Sequence, residues 1–257
     1  ELKVINAGTS GAITFSDTTV ALSGDATDLA IALAGSTNHD GAVTVSNASD
    51  YTATELQTIN NGTAGTITLS DRTVALSGSG TVVAAALDGT FAGGGSHTGA
   101  VTVSGDDYTG AQLKTINAAT SGEITLSDRT VAISGDATDL AVALGGTFAT
   151  GASHTGAVTV SNASDYTITE LKVINAATSG AITFSDTTVA LSGDSADLAI
   201  ALAGTTNHSG AVTVTDGADY TITELKVINA GTSGAITFSD TTVALSGDAT
   251  DLAIALA

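Results

Sequence analysis

Hydrophobic and polar positions alternate along this chain in two recurring patterns. In the first, large apolar residues sit at i, i+3 and i+4, as in Leu29 with Ala32 and Leu33, which is the spacing of one helix face. In the second, a large apolar residue alternates with threonine, as in Val43-Thr44-Val45, which puts the apolar side chains on one face of a strand. The chain is therefore predicted to alternate short helices with short strands.

These patterns belong to a repeat that runs through the whole sequence. A segment that begins as Glu-Leu-Lys-Val-Ile-Asn-Ala recurs with variation at spacings of 54, 57, 58 and 54 residues, from Glu1, Glu55, Gln112, Glu170 and Glu224. Residues 1–34 and 224–257 are identical, so a longer period of 223 residues overlies the shorter one. The units are 1–54, 55–111, 112–169, 170–223 and a partial unit 224–257. We interpret the sequence as a segment of a longer array, or as a chain whose register within the repeat is arbitrary.

Each unit divides into two related halves. Half A begins at Glu1 and at the equivalent Glu55, Gln112, Glu170 and Glu224. Half B begins with a segment of the Asp-Leu-Ala type, first at Asp28. In both halves an apolar stretch is followed by small residues, a glycine and the alternating strand pattern. The chain therefore contains nine half-units of roughly 27–29 residues.

The starts of the predicted helices carry capping signals. A hydroxyl residue followed three positions later by Glu or Gln is a capping box, and it occurs at Thr52 with Glu55, Thr109 with Gln112, Thr167 with Glu170, and Thr221 with Glu224. The half-B helices use an acidic variant at Asp25 with Asp28, Asp136 with Asp139, Asp194 with Asp197, and Asp248 with Asp251, or a serine cap at Ser79. The residues predicted to end helices are Gly8, Gly35, Gly89 and Gly204.

A glycine stands two residues before every predicted main strand, at Gly11, Gly41, Gly65, Gly99, Gly122, Gly156, Gly180, Gly210 and Gly234. Half A adds a shorter strand over residues 20–22, whereas half B has only residues 50–52 in that place. One half-unit cannot bury its apolar face alone, but stacked neighbours can. We therefore predict a repeat solenoid, a β-solenoid of α/β type, continuous over residues 1–257. Each coil is one half-unit of about 27–29 residues with a short helix, and equivalent strands stack in one parallel sheet.

The composition narrows the class of protein. Of the 257 residues 42% are hydrophobic and 12% are charged, and 6 Lys+Arg against 26 Asp+Glu give a formal net charge of −20. The aliphatic content argues against an acidic disordered tail, and the lack of a basic footprint argues against nucleic-acid binding. Without cysteine there is no disulfide scaffold or cysteine zinc site. Apolar runs such as 29–34 are too short to cross a bilayer, so we expect no membrane insertion, and no targeting segment is visible at the start.

Histidine occupies one equivalent position in each complete unit, in the loop before the half-B strand, at His39, His97, His154 and His208. One interpretation is a metal or proton site repeated along the array. The favoured interpretation is a loop histidine that bonds a neighbouring backbone carbonyl, or that was copied with its unit. Equivalent histidines two coils apart would be about 10 Å from each other, too far to share one metal ion. We therefore assign no metal ligand and no cofactor-binding residue.

Aspartates and threonines also recur at fixed positions, and each set allows one further functional interpretation. Aspartate follows the half-A strand or precedes a tyrosine, at Asp17, Asp71, Asp128, Asp186 and Asp240 and at Asp50, Asp107, Asp165 and Asp219. Calcium binding is one interpretation, and turn formation by aspartate is the favoured one. The rows of strand threonines beside alanine are compatible with ice binding, although β-propensity on a half-exposed surface or lateral packing of filaments is favoured.

Catalysis has no support in the sequence. No Gly-x-Ser-x-Gly elbow stands in a strand-to-helix context, and no phosphate-binding Gly-x-x-x-x-Gly-Lys-Ser/Thr loop is present. An enzyme needs one unique constellation of side chains, whereas the polar features of this chain are repeated four or five times. We predict that the protein is not an enzyme.

The string formed by Asp165-Tyr166-Thr167, Glu170-Leu171, Ile174-Asn175, Gly180 and Ile182-Thr183 resembles a repeat of very large secreted or cell-surface proteins of cyanobacteria and other aquatic bacteria. The resemblance covers essentially the whole chain and implies an extracellular or cell-surface array used in surface coats, adhesion or filaments. We expect a structural protein that forms an extracellular filament or a surface-layer or matrix fibre and associates with itself head-to-tail and laterally. The alternatives are the rigid stalk of a large cell-surface adhesin and, less favoured, a calcium-binding or ice-binding solenoid.

Overall fold

The computed structural model describes residues 1–36, 38–46, 50–92, 97–149, 151, 153–161, 165–215 and 219–256. Within these ranges short helices alternate with strands of three residues, as predicted. The helices are α1 (Leu2–Ala7), α2 (Ala26–Leu33), α3 (Ala53–Gly62), α4 (Gly80–Leu87), α5 (Gly110–Ala119), α6 (Ala137–Leu144), α7 (Ile168–Ala177), α8 (Ser195–Leu202), α9 (Ile222–Gly231) and α10 (Ala249–Ala255). The strands are β1 (Leu22–Gly24), β2 (Val43–Val45), β3 (Ile67–Leu69), β4 (Leu76–Gly78), β5 (Val101–Val103), β6 (Ile124–Leu126), β7 (Ile133–Gly135), β8 (Val158–Val160), β9 (Ile182–Phe184), β10 (Leu191–Gly193), β11 (Val212–Val214) and β12 (Ile236–Phe238).

The helices begin where the capping signals predict. The Thr52 side chain accepts a hydrogen bond from the Glu55 N–H, and the Glu55 carboxylate accepts one from the Thr52 N–H. The same reciprocal pair opens α5, α7 and α9. An aspartate side chain caps α2, α6, α8 and α10, and Ser79 caps α4. These bonds join residues only three apart, so the local sequence is sufficient to place them.

The predicted glycine stops lie at or directly after the helix ends. Gly8 is the C-cap of α1, and Gly89 follows Asp88, the C-cap of α4. Gly35 and Gly204 follow α2 and α8 with φ angles of +74° and +73°, a left-handed conformation that glycine adopts without strain. The longer half-A helices α3, α5, α7 and α9 end instead at a threonine in extended backbone.

The strands form four parallel three-stranded sheets, ordered β1-β2-β3, β4-β5-β6, β7-β8-β9 and β10-β11-β12. In the first sheet Leu22 pairs with Val43, and Val43 pairs with Ile67. The half-B strand is the central strand of every sheet. It lies between the short second strand of the preceding half A and the main strand of the following half A.

The predicted stacking of equivalent main strands is confirmed on one side of each half-B strand, where β2 pairs with β3, but not as one continuous sheet, because the other side pairs with the short second strand of half A. Each full half A supplies two strands, such as β3 and β4, and these belong to different sheets. The half-B strand therefore has unlike partners on its two sides. Beyond the third strand, the ladder continues only as single bridges, from Ile67 to Phe91, Ile124 to Phe148, and Ile182 to Thr205.

The second strand of half A lies two residues later than predicted, at 22–24 rather than 20–22. Val20 is 50% exposed, whereas Leu76, which occupies the position of Leu22 in the next unit, is 2% exposed. Burial of the leucine therefore sets where this strand begins. In the first half-unit Ile13 makes only a single bridge, to Ser36, and residues 50–52 form no strand.

The predicted separation of apolar and threonine faces is confirmed. Val43 and Val45 are fully buried, whereas Thr44 between them is partly exposed. On the helices, the i, i+3 positions of α3, Leu56 and Ile59, are buried as well. The core is therefore built from one face of the strands and one face of the helices.

The described chain forms two compact units, residues 1–128 with 146–152 and residues 129–145 with 153–257. In the first unit α1 to α5 pack in chain order, each helix on the next, and in the second α6 to α10 do the same. Each unit also contains two of the parallel sheets. Each is therefore a repeat array of alternating helices and parallel strands. Among the described residues, no helix combines the length and hydropathy needed to span a membrane.

Candidate functional site

The glycines that precede the main strands form close backbone contacts between neighbouring half-units. A Cβ atom on Gly180 would lie 1.8 Å from the Gly156 carbonyl oxygen, and a Cβ atom on Gly156 would lie 2.2 Å from the Val131 carbonyl oxygen. The same contacts recur for Gly41 with Gly65, Gly99 with Gly122, and Gly210 with Gly234. Gly11 is the exception, because the nearest atom to its Cβ position is the Thr9 Oγ1, at 3.5 Å. The recurrent glycine is therefore required by its close approach to the backbone of the preceding half-unit.

The recurrent histidines lie beside this glycine contact and are buried. His39 Nε2 is 2.9 Å from the Val20 carbonyl oxygen, and His39 Nδ1 is 2.8 Å from the Thr63 hydroxyl. Because a carbonyl only accepts, Nε2 carries a proton and donates it to Val20, and Nδ1 contacts the Thr63 hydroxyl. His154 and His208 make the same pair of contacts, and His97 makes the carbonyl contact. The predicted bond between histidine and a neighbouring backbone carbonyl is confirmed.

Burial favours the neutral form of three of the four imidazoles. It lowers the pKa of His97, His154 and His208 below the ordinary value of 6.5, against the opposing effect of the carbonyl contacts. At three of the four sites both ring nitrogens already contact protein atoms. Metal binding there would require one of those contacts to break. Within the described ranges, no group of three or more His, Cys, Asp or Glu side chains is arranged to hold a metal ion.

The aspartates after the half-A strands act in turns, as the favoured interpretation predicted. The Asp71 carboxylate accepts from the N–H and the hydroxyl of Thr73, both at 2.7 Å. Those two hydrogen bonds lower the pKa of Asp71 below its ordinary value. The same arrangement occurs at Asp17, Asp186 and Asp240.

The recurrent tyrosines attach to the same turns. The Tyr51 hydroxyl donates to the Asp71 carbonyl oxygen at 2.5 Å, and its ring is 2% exposed. Tyr108, Tyr166 and Tyr220 bond Asp128, Asp186 and Asp240 in the same way. Burial raises the pKa of Tyr51, Tyr108 and Tyr166 to about 12. These phenols therefore remain protonated donors at neutral pH.

Polar contacts between successive helices form a further set, which the sequence reasoning did not assign. The Glu55 carboxylate accepts from the Thr27 hydroxyl at 2.6 Å, and Glu170 does so from Thr138. The Asn60 side-chain amide donates to the Ala85 carbonyl oxygen at 2.9 Å. Lysine–aspartate pairs join α1 to α2, α7 to α8, and α9 to α10, as Lys3 with Asp28, Lys172 with Asp197, and Lys226 with Asp251. Recurrence at one position per unit was the signal that could have identified these contacts.

Hydroxyl groups form a short row on the outward face of each sheet. Ser23, Thr44 and Thr68 are in register on adjacent strands of the first sheet. In two other sheets adjacent threonine hydroxyls lie 3.1 Å apart, for Thr159 with Thr183 and for Thr213 with Thr237. Part of their hydrogen-bonding capacity is therefore used within the sheet.

Large apolar residues are exposed mainly near residues 1–20 and 254–256. Val4 and Ile5 of α1 are 75% and 58% exposed, and Leu256 after α10 is 61% exposed. Elsewhere in the described chain the recurrent histidine, tyrosine, glutamate, asparagine and lysine side chains join one half-unit to another. Together these features define a repeat protein whose recurrent residues connect neighbouring repeats.

Comparison with protein-family models and with curated proteins finds no match.

Proposed function

We propose that this chain is a structural protein whose half-units stack as the coils of a solenoid and form an extracellular filament or a surface-layer or matrix fibre. One observation carries the proposal: the recurrent histidines, tyrosines, glutamates, asparagines and lysines contact a neighbouring half-unit. Side chains used in this way stabilise an array and are not left for a reaction. We accordingly propose no catalytic role and no cofactor.

The parallel pairing of strands from successive half-units supports the stacked arrangement. Each sheet joins strands from three consecutive half-units, and the helices of each unit pack in chain order. Repeat arrays of this kind are stabilised by nearest-neighbour interfaces and can be extended by adding further repeats. Self-association, head-to-tail and laterally, is the proposed form of partnership. The balance of 6 Lys+Arg against 26 Asp+Glu supports leaving nucleic acid out of the proposed partners.

The extracellular or cell-surface location rests on the resemblance carried by the repeat string around Tyr166 and Glu170. A filament and an adhesin stalk would both be rods of stacked repeats. They differ in whether separate rods join end to end. The acidic surface, with a net charge of −20, would keep single rods apart at low ionic strength. Assembly is therefore expected to strengthen as salt screens the charge.

Electron microscopy of the purified protein at rising concentration and ionic strength tests the proposal. We expect long fibres of uniform width, with a length distribution that shifts upward with protein concentration. A matching mass increase in analytical ultracentrifugation would exclude drying artefacts. Short dispersed rods at every condition would favour the stalk, and irregular aggregates would contradict both.

Calcium binding by the recurrent aspartates, after the half-A strands or before the tyrosines, is tested separately. The carboxylates of Asp17, Asp71, Asp186 and Asp240 already accept two hydrogen bonds each from a threonine. We therefore expect the same thermal midpoint in calcium and in a chelator, with magnesium at equal ionic strength as the control for charge screening. A midpoint raised by calcium alone would establish the calcium-binding alternative.

A further inference from the structure

The half-B segments of this chain are of two kinds, which differ in the loop between the helix and the recurrent histidine. Five residues lie between the last helical leucine and the histidine in the first and fourth units, and nine lie there in the second and third. We call these the short and the long loops. Each short loop ends in an asparagine, and each long loop contains a phenylalanine instead; these residues are Asn38 and Asn207, and Phe91 and Phe148.

The half A that precedes each half B differs in step with this loop. Where the loop is short, the third residue of the preceding main-strand segment is phenylalanine, at Phe15 and Phe184. Where the loop is long, that residue is leucine, at Leu69 and Leu126. Each of these four junctions therefore has one phenylalanine, which half A supplies in one kind and the half-B loop supplies in the other.

The contacts of the short loop explain its association with the strand phenylalanine. The Asn207 side chain accepts a hydrogen bond from the Phe184 N–H at 2.8 Å and donates one to the Phe184 carbonyl oxygen at 2.9 Å. The equivalent asparagine of the first unit makes the same two bonds. The Phe184 ring also packs edge-on against the His208 ring, with the centroids 5.8 Å apart. In the long loop the phenylalanine lies beside the strand itself, where Phe148 forms a bridge with Ile124.

The half A that follows each half B also differs in step with the loop. The last residue of its helix is glycine after a short loop, at Gly62 and Gly231, and alanine after a long loop, at Ala119 and Ala177. A Cβ atom on Gly231 would lie 2.5 Å from the Leu202 carbonyl oxygen and 2.7 Å from the Leu202 Cβ atom. An alanine therefore does not fit at the end of a half-A helix that follows a short loop.

A buried hydroxyl holds this second junction together when the loop is short. The Thr205 hydroxyl lies 2.8 Å from the Leu202 carbonyl oxygen and 2.7 Å from the Gly231 carbonyl oxygen. Ser36 makes the equivalent contacts in the first unit. The long loops have phenylalanine at this bridge position, so they lack the hydroxyl, and they place three residues rather than two between it and the leucine.

We propose that these positions form a matching rule that decides which half-units stack on each other. Phenylalanine at the end of the main strand selects a short loop in the next half B, and leucine selects a long one. Glycine at the end of a half-A helix accepts a short loop in the preceding half B, and alanine accepts a long one. All eight junctions in the sequence follow this rule. The inference rests on the proposed function, the stacking of half-units as coils, and names the residues that give the stacking its order.

The matching rule also accounts for the 223-residue period. The two signals of half A vary independently, and the first four half-A segments combine them as glycine with phenylalanine, glycine with leucine, alanine with leucine, and alanine with phenylalanine. The fifth half A returns to the first combination. A half A of the first unit placed against the half B of the second, or of the third against the fourth, would have mismatched signals. The rule therefore opposes out-of-register stacking between similar repeats.

Exchange of one loop tests the matching rule within a single chain. The short loop 203–207 is replaced by the long loop 145–153, each of which lies between a leucine and a histidine. The long loop then meets the wrong signals, Phe184 before it and Gly231 after it. We expect the equilibrium constant for unfolding to rise at least about tenfold. Adding Phe184→Leu and Gly231→Ala makes both junctions of the long kind and is expected to restore most of the lost stability.

The same two substitutions in the unaltered chain complete the comparison. There they are expected to destabilise the protein, because the alanine meets the Leu202 carbonyl oxygen and the Asn207 pairing loses its phenylalanine. Replacing loop 203–207 by the other short loop, 34–38, is the matched control and should leave the stability unchanged. Chemical denaturation monitored by circular dichroism measures all five proteins.

The decisive result is the coupling between the loop and the two substitutions. A loop exchange that becomes stable, or folds at all, only when both substitutions are added supports the matching rule. Independent effects that make the combined variant the least stable protein would overturn it, as would a combined variant that stays unfolded. Because the measurement concerns one folded chain, either of those results leaves the proposed filament in place. A lack of fibres in the unaltered protein would contradict the filament and not the matching rule.

Discussion

Replacing Gly180 with alanine is expected to destabilise the protein by at least about 3 kcal/mol, at the upper end of the usual range for overpacking. The new Cβ atom would lie 1.8 Å from the Gly156 carbonyl oxygen. That obstacle is backbone, so no side-chain rotation relieves it, and the two half-units must move apart. Movement there also strains the β8–β9 pairing just beyond the glycines. Chemical denaturation, monitored by circular dichroism, measures the loss in the free energy of unfolding.

Gly11→Ala provides the matched control for this prediction. Gly11 occupies the same position of half A, but its Cβ site has no atom closer than the Thr9 Oγ1 at 3.5 Å. We expect a change of less than about 1 kcal/mol, or a slight gain from the reduced freedom of the unfolded chain. Equal losses for Gly11→Ala and Gly180→Ala would show that the glycine is required for its local backbone and not for the approach of a neighbour.

Acidification below pH 6.5 is expected to destabilise the protein through its buried histidines. The pKa of His97, His154 and His208 is lowered in the folded protein by burial, so the unfolded chain binds more protons as the pH falls through 6.5. The contribution of the neutral rings is complete above pH 6.5 and is lost as the pH falls towards the lowered pKa values. Each unit by which a pKa is lowered corresponds to about 1.4 kcal/mol. Denaturant midpoints measured between pH 8 and pH 4.5 would report this loss.

The turn aspartates contribute to stability in a different pH range, so their effect can be measured separately from that of the histidines. Hydrogen bonds from threonine lower the pKa of Asp17, Asp71, Asp186 and Asp240 below 3.8, so their contribution is lost only as the pH falls through and below that value. A stability curve that is flat from pH 7 to pH 4.5 would contradict the role given to the histidines.

Two substitutions of His154 separate the effect of protonating its ring from the effect of losing its hydrogen bonds. His154→Gln can still donate to the Val131 carbonyl oxygen but cannot titrate, so it should reduce the acid sensitivity at a small cost near neutral pH. His154→Leu leaves the Val131 carbonyl and the Thr178 hydroxyl without this partner. It is expected to cost about 1–3 kcal/mol for each buried group left unpaired. If Gln and Leu behave alike at every pH, the hydrogen bonds of the ring contribute nothing measurable.

Several features of the fold could be predicted because they depend on neighbours in sequence. The Thr52–Glu55 capping box joins residues three apart, and the alternation of Val43, Thr44 and Val45 reflects only the geometry of an extended strand. The recurrence of Gly180 and its equivalents was also visible, although its cause was not. That cause is a carbonyl oxygen of another half-unit, which no local pattern contains.

Strand pairing was the feature that local patterns could not supply. The main strands have similar sequences and look like natural partners, and β2 does pair with the main strand β3. On its other side β2 pairs instead with β1, the short second strand of half A. Half A has two strand segments, such as β3 and β4, and these two strands belong to different sheets. Which segment meets the half-B strand depends on how successive half-units pack, so the sequence of one half-unit does not determine it.

By itself, the sequence determined the repeat, the helix starts and the buried face of each strand, because these follow from contacts within a few residues and from periodicity. Only the tertiary structure decided that His39 donates to Val20 and that Tyr51 donates to Asp71, contacts that span 19 and 20 residues. It also decided how deeply Ile228 of α9 is buried, because α9 packs on α8. The physical reason is the same in each case: the partner lies on a neighbouring half-unit, and burial is a property of the stacked pair.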